Sequence, residues 1–332
     1  MDMDFYFTEE QEMLRASARD FLEKECTESV LKDIETSGLG YSPDLWKKIA
    51  DLGWLGLVYP EQYGGFAMNF VDLAVLNEEF GRAMFPSPYL STIVLCGLTI
   101  LETGSIVQKP EILPSVIEGT EIIALTVNEP KSSLEGISWS PEDVTIIAKE
   151  DGNDYLLDGV NLFVYDANIA NNLLVPARTK SSSNSGDGIT LFLLDAESPG
   201  ISIAKLSTPA GNNQCEVVFN KVQVSRESII GELNGGWVPL SNSLKVGAVM
   251  MSAQMLGAGQ RLLKLSEDDY VTRSQSVIPG EVDRYNKEFL NRLQQDVDGC
   301  RQAIYLAARK LTEGRPANLT TIFTKGWSSY IR

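Results

Sequence analysis

The residue type that most constrains the chemistry of this chain is one it lacks: its 332 residues include no histidine. Ser-His-Asp and Cys-His nucleophiles and the usual zinc sites are excluded, which leaves carboxylates, lysine, tyrosine or a bound cofactor to carry any reaction. The four cysteines, Cys26, Cys96, Cys215 and Cys300, show no C-x-x-C spacing and read as reduced packing residues. Gly257, Ala258 and Gly259 have the composition of a phosphate loop, but no strand precedes them, so close helix packing is the expected use. The formal charge of −17 repels polyanions, which argues against a nucleic-acid partner and demands a local basic pocket for any anionic ligand.

The elements that must position such groups change character twice along the chain. Over residues 121–234 the apolar residues fall in short runs, at 122–127, 144–148, 155–158, 172–175, 189–194, 201–204 and 214–219, bounded by Gly, Asn, Asp, Ser or Pro. This pattern predicts an antiparallel β-sandwich or barrel. Before it the spacing is helical. Thr8 and Gln11 form a capping box for a helix over 8–25; Ser42, Pro43 and Asp44 start a second that Gly53 stops; others are expected at 69–80, 88–101 and 110–118. After it, Gly235, Gly236 and Trp237 open a long helix that is nearly all small or apolar from Leu244 to Leu263, as in a helix buried on every side. A further helix over 282–312 carries Leu290, Leu293, Val297, Cys300, Ile304, Ala307 and Leu311 along one seam roughly 45 Å long. A last helix from about Asn318 places Ile322, Phe323, Trp327 and Tyr330 on one face. Burying each aromatic there is worth on the order of 2 kcal/mol, so another chain is expected to cover them.

The fold class is therefore α and β multidomain: an N-terminal helical domain over 1–120, a central antiparallel β-barrel or sandwich over 121–234, and a C-terminal helical bundle over 235–332. No apolar run reaches the roughly 18 residues that span a bilayer, and Met1, Asp2, Met3 and Asp4 are unlike a secretory signal, so the expected location is the cytoplasm.

Several stretches resemble the acyl-CoA dehydrogenase family. Residues 55–65, from Leu55 through Pro60, Glu61 and Tyr63 to Gly64 and Gly65, are similar to its LGL-x-x-PE-x-YGG loop. Ala124 to Pro130 sit where the family has its A-x-TEP flavin strand, and residues 188–195, 217–224 and 231–237 are similar to its exit from the β lobe into the bundle. The resemblance runs in order along nearly the whole chain. It implies FAD held between the β lobe and the bundle, with a neighbouring subunit closing the site. It also implies an acyl-CoA substrate, and a glutamate that takes a proton beside the thioester while a hydride passes to the flavin. Electrons then leave to an electron-transfer flavoprotein. By the same resemblance Leu125, Val127 and Asn128 meet the flavin ring, Phe163 stacks near it, Tyr165 replaces a small residue beside it, and Arg273 and Gln275 match the family's R-x-Q-F-G.

The departures from the family pattern bear on the base. The commonest catalytic glutamate of the family lies beyond the last residue here, and its alternative position on the central helix is occupied by Gly247, followed by Ala248. Ser132, Ser133 and Leu134 replace Gly-Ser-Asp, Ser276 and Val277 replace Phe-Gly, and Asp283 and Arg284 replace Phe-Gln. Glu129 and Glu288 are carboxylates near the implied site, but the first belongs to the family's structural turn and the second to a solvent-ready helix face. No catalytic residue is assigned. Three readings follow: a dehydrogenase subunit that needs a related partner chain for its glutamate, as in the heteromeric enzymes of steroid side-chain breakdown; a self-sufficient dehydrogenase with an unrecognised base; and a structural or regulatory paralogue without flavin. The first predicts a colourless or poorly soluble protein alone and a yellow, active complex on co-expression.

Overall fold

A computed structural model describes residues 7–127, 139–182, 184–208, 213–274 and 281–317, without the side chains of 273, 274 and 281–286. Thr8 caps α1 (Glu9–Glu25): its hydroxyl accepts from the Gln11 N–H, and the Gln11 side chain accepts from the Thr8 N–H. α2 (Glu28–Ser37) has no counterpart in the sequence reading, because its apolar stripe is thin and buries Ile34 alone. α3 (Pro43–Asp51) starts where Ser42 accepts from the Leu45 N–H, and Gly53 follows it in left-handed backbone at φ 77°. α4 (Phe70–Arg82) carries a second capping box, Asn69 with Asp72.

The helix expected over 88–101 divides into a π-helical segment, Tyr89–Gly97, and α5 (Leu98–Thr103). The Tyr59 hydroxyl donates to the Ile93 carbonyl at 2.6 Å and occupies the space where a Cβ on Gly97 would stand. A side chain inserted this way takes a carbonyl out of the α-helical ladder and widens the turn. α6 (Gln108–Ile117) completes the helices before the strands; α7 (Trp237–Ser274) and α8 (Glu281–Thr312) follow them.

The chain packs as two units, each assembled from separated segments. One comprises residues 31–68 and 86–247 and contains, among the described residues, every strand: β1 (Ile123–Leu125), β2 (Ile147–Asp151), β3 (Asp154–Tyr165), β4 (Asn172–Arg178), β5 (Ile189–Asp195), β6 (Ile201–Lys205), β7 (Gln214–Val224) and β8 (Ile229–Ile230). They form one sheet in the order β6-β7-β3-β2-β4-β5-β8, with β1 paired to β4. The pairings are antiparallel except β1 with β4 and the single contact of β2 with β4. β3 outruns its expected four residues because bulges, at Leu157/Gly159 and Asn161/Val164, break the alternation that marks a strand in sequence. Tyr155 on β3 meets Phe192 on β5 edge-to-face at 5.4 Å although two strands separate them in the sheet, so the sheet curls around one core as a sandwich or barrel does.

The other unit comprises residues 1–30, 69–85 and 248–332. Here α4 and α7 touch backbone to backbone. A Cβ on Gly81 would stand 1.8 Å from the Gln254 carbonyl oxygen, and one on Gly257 equally close to that of Glu78. The Gly257 segment is thus a packing device, as its setting in a helix predicts. Glu78 and Glu79 are buried charges with partners: Tyr305 donates to Glu78 at 2.6 Å, with Arg301 at 3.5 Å, and Arg19 grips Glu79 with two bonds at 2.6 and 3.0 Å. On α8 the seam is buried at Val297, Cys300, Ile304 and Ala307, but only half-buried at Leu290 and Leu293. Ile322, Phe323, Trp327 and Tyr330 lie outside the described residues.

Candidate functional site

β1 lies between β4 on one side and the π-helical segment on the other. Its even-numbered residues turn to β4: Ile122 O accepts from the Asn172 N–H and the Thr126 N–H donates to Leu174 O at 3.0 Å. The odd-numbered ones turn the other way, where the Thr92 hydroxyl, from the π-helical segment, bonds both the N–H and the carbonyl of Ile123. The main chains of Leu125 and Val127 continue along that same side, on which no described strand pairs with β1. Both residues are buried, and the Val127 N–H donates to Leu125 O at 3.3 Å.

β3 packs against β1 and contributes the aromatic element. Between Asn161 and Val164 its register with β7 slips, and Phe163 takes left-handed backbone at φ 59°. Such a conformation costs a bulky L-residue roughly 1–2 kcal/mol. The bulge leaves Leu162 and Phe163 both exposed in succession, with Phe163 39% accessible. Tyr165, half-buried, ends the strand. An exposed ring held at a strained bulge, on a strand that packs against β1, offers a face to a planar ligand.

Of the residues singled out in the sequence, Leu125, Val127, Phe163 and Tyr165 fall within this one unit. Asn128, Glu129 and Gln275 lie outside the described residues; Arg273 is near the end of α7, its side chain likewise undescribed; Glu288 is exposed on α8. Gly247, also in the β unit, is buried, and a Cβ there would stand 2.5 Å from Leu95 Cδ2, the tip of a side chain. The sequence reading missed Thr92 and a buried cluster behind β3: Asp166, Ser91 and Asn213. Nothing local marks Asp166 as buried; its partners come from 75 and 47 residues away. Among the described residues no helix is long and apolar enough to cross a membrane.

Comparison with known proteins decides the family. The model of the acyl-CoA dehydrogenase N-terminal domain matches residues 8–120 and that of the middle domain residues 125–222. A caffeyl-CoA reductase-Etf complex subunit, CarC, from Acetobacterium woodii is 30% identical over 263 residues, covering 78% of this chain and 68% of that protein. The chain belongs to the acyl-CoA dehydrogenase family. A 3-(aryl)acrylate reductase from Clostridium sporogenes is 29% identical over 318 residues, 94% of this chain and 82% of that protein. Butyryl-CoA dehydrogenase from Megasphaera elsdenii superposes with a TM-score of 0.84 at 25% identity, covering 99% of this chain and 86% of that one. The family comprises FAD-dependent oxidoreductases acting on CH–CH bonds. The exposed ring of Phe163 offers an aromatic face that fits the plane of a flavin, whereas Leu125 and Val127 are buried and bond to each other.

Proposed function

We propose that the chain is a subunit of an FAD-dependent acyl-CoA dehydrogenase that forms an α,β-unsaturated acyl-CoA, with a related partner chain supplying the catalytic glutamate. FAD, when bound, supplies the hydride acceptor. The residues of this chain that would hold it are Leu125, Val127, Phe163 and Tyr165, with the exposed Phe163 ring supplying an aromatic face. Asn128, Arg273 and Gln275 are assigned to the same cofactor by resemblance. The division into domains 1–120, 121–234 and 235–332 is part of this reading.

The observation that carries it is the exposed ring of Phe163 at a strained bulge of β3, a strand that packs against β1. The glycine at position 247 supports the second half of the proposal, because proton abstraction next to a thioester needs a carboxylate and this position offers none. The names of the two reductases support a couple whose oxidised member is an unsaturated acyl compound, and the Etf complex supports an electron-transfer flavoprotein as electron partner. Purification with and without a co-expressed family member tests the proposal. A yellow complex that passes electrons from acyl-CoA to an acceptor, with a colourless lone chain, supports it. A yellow chain active alone means that it contains its own base, and no flavin in either preparation means that it is a structural paralogue.

A further inference from the structure

The unit that contains no described strand holds a cavity of about 300 Å³, at the low end of the range for small-molecule sites. One stripe from each of four helices lines it. Arg15 and Arg19 stand one turn apart on α1 and Glu78 and Arg82 one turn apart on α4; residues at the same helical spacing, from Gln260 to Glu267 on α7 and from Gln294 to Arg301 on α8, complete the walls. Four guanidiniums thus meet one space in a chain whose formal charge is −17. None of these residues takes part in the flavin reading.

Charge separates these arginines into two pairs. The buried carboxylates of α4 are already matched: Arg19 holds Glu79 with its two bonds, and Glu78 accepts from Tyr305 with Arg301 3.5 Å away. Arg15 and Arg82 are left over. Arg15 spends one bond, at 3.2 Å, on Glu12, and its Nε is buried with no partner among the described residues. Arg82 has its nearest carboxylates at 3.7 Å, Glu23, and 3.9 Å, Glu79, both beyond hydrogen-bond length. Glu12 and Glu23 are more than half exposed, where such pairing is weak, whereas the side chains of Arg15 and Arg82 are only 19% and 21% exposed. Each guanidinium carries five N–H donors, so nearly all of those on this pair lack a protein acceptor among the described residues. At the rim the charge reverses: Glu267 and Asp298 stand there, and Lys264 is held by Asp268 at 2.9 Å.

We propose that this cavity binds a phosphate dianion, free or at the end of a small phosphomonoester, with Arg15 and Arg82 as its principal ligands. Two unmatched guanidiniums supply the two positive charges that a dianion needs, and their forked donors fit its oxygens in pairs; a lone carboxylate leaves one arginine unanswered. The acidic rim turns away polyanions, so the ligand is small. The test is equilibrium dialysis of the purified full chain against inorganic phosphate at about pH 8, where the dianion prevails, with ionic strength held constant by potassium chloride. The native chain is expected to bind with a Kd at or below about 1 mM. Arg15→Gln and Arg82→Gln are each expected to weaken binding about tenfold or more, as the loss of a charge-assisted fork implies. Asp298→Asn, at an exposed position on the rim, removes a like charge and is expected to tighten binding about two- to fivefold; it decides the matter if the arginine variants do not fold. Glycerol phosphate identifies the source: tighter binding than inorganic phosphate makes the occupant a phosphomonoester, and equal or weaker binding makes it phosphate itself. No binding by the native chain, undiminished binding by both folded arginine variants, or an affinity of Asp298→Asn equal to the native one each overturns the assignment.

Discussion

Replacing Phe163 with glycine separates what this residue does for the fold from what it does for the cofactor. Glycine relieves the left-handed strain, worth roughly 1–2 kcal/mol, but adds about 1 kcal/mol of unfolded-state freedom. The ring is 39% exposed, so the burial it gives up is about 1.5 kcal/mol rather than the full value for phenylalanine. These contributions largely offset one another, and urea unfolding of Phe163→Gly is expected to show a loss of only about 0.5–1.5 kcal/mol. Phe163→Ala keeps the strain and loses the ring, so it is expected to be less stable than the glycine variant. Loss of the aromatic face from a bound flavin costs about 1–2 kcal/mol, or roughly 5- to 30-fold in Kd, read by quenching of FAD fluorescence. A glycine variant that unfolds far more readily but binds FAD as well as the native chain would refute the reasoning, since the bulge would then serve the β core.

Three further outcomes follow from the geometry. Gly257→Ala places a methyl against main-chain atoms of α4, at 1.8 Å from Glu78 O and 2.6 Å from Arg82 N; neither can swing aside, so thermal and urea unfolding should report a loss of about 2–4 kcal/mol, and an unchanged midpoint contradicts the crossing. Tyr305→Phe removes the hydroxyl that donates to buried Glu78 and is expected to cost about 1.5–3 kcal/mol in urea unfolding. For Asp166 the folded value near 6 lies above the ordinary 3.8, so between those values the folded state holds a proton that the unfolded state has lost, and this group's contribution to stability falls as pH rises through the window. Asp166→Asn abolishes that slope: its advantage over the native chain should grow between about pH 4 and pH 7 to the order of 3 kcal/mol, and a gap independent of pH contradicts it.

What the sequence made legible is what neighbours in the chain decide. The Thr8 and Ser42 caps close within three residues, so their helices start where the residue types place them. The packing role of Gly257 was readable from its setting within a helix, though not the partner, Glu78, far earlier in the chain. The π-helical segment was not readable, because Tyr59, 34 residues before Ile93, imposes it. Nor was the length of β3, where Gly159 and the bulge at Phe163 interrupt the period of two on which strand recognition depends. Within the site, Leu125, Val127, Phe163 and Tyr165 were named through resemblance and the fold gathers them in one unit. Thr92 and Asp166 were invisible for the reason Tyr59 was: their partners are distant in sequence, and a threonine or aspartate between apolar runs announces nothing.

The central claim is that this chain holds a flavin while another chain brings the base. The most direct measurement is anaerobic addition of an acyl-CoA to the protein supplied with FAD, alone and with a co-expressed family member, following the absorbance of the oxidised flavin. The account predicts no bleaching with the chain alone and bleaching with the pair, lost when the partner's glutamate is replaced by glutamine. Bleaching of the lone chain at the rate of the pair would contradict it.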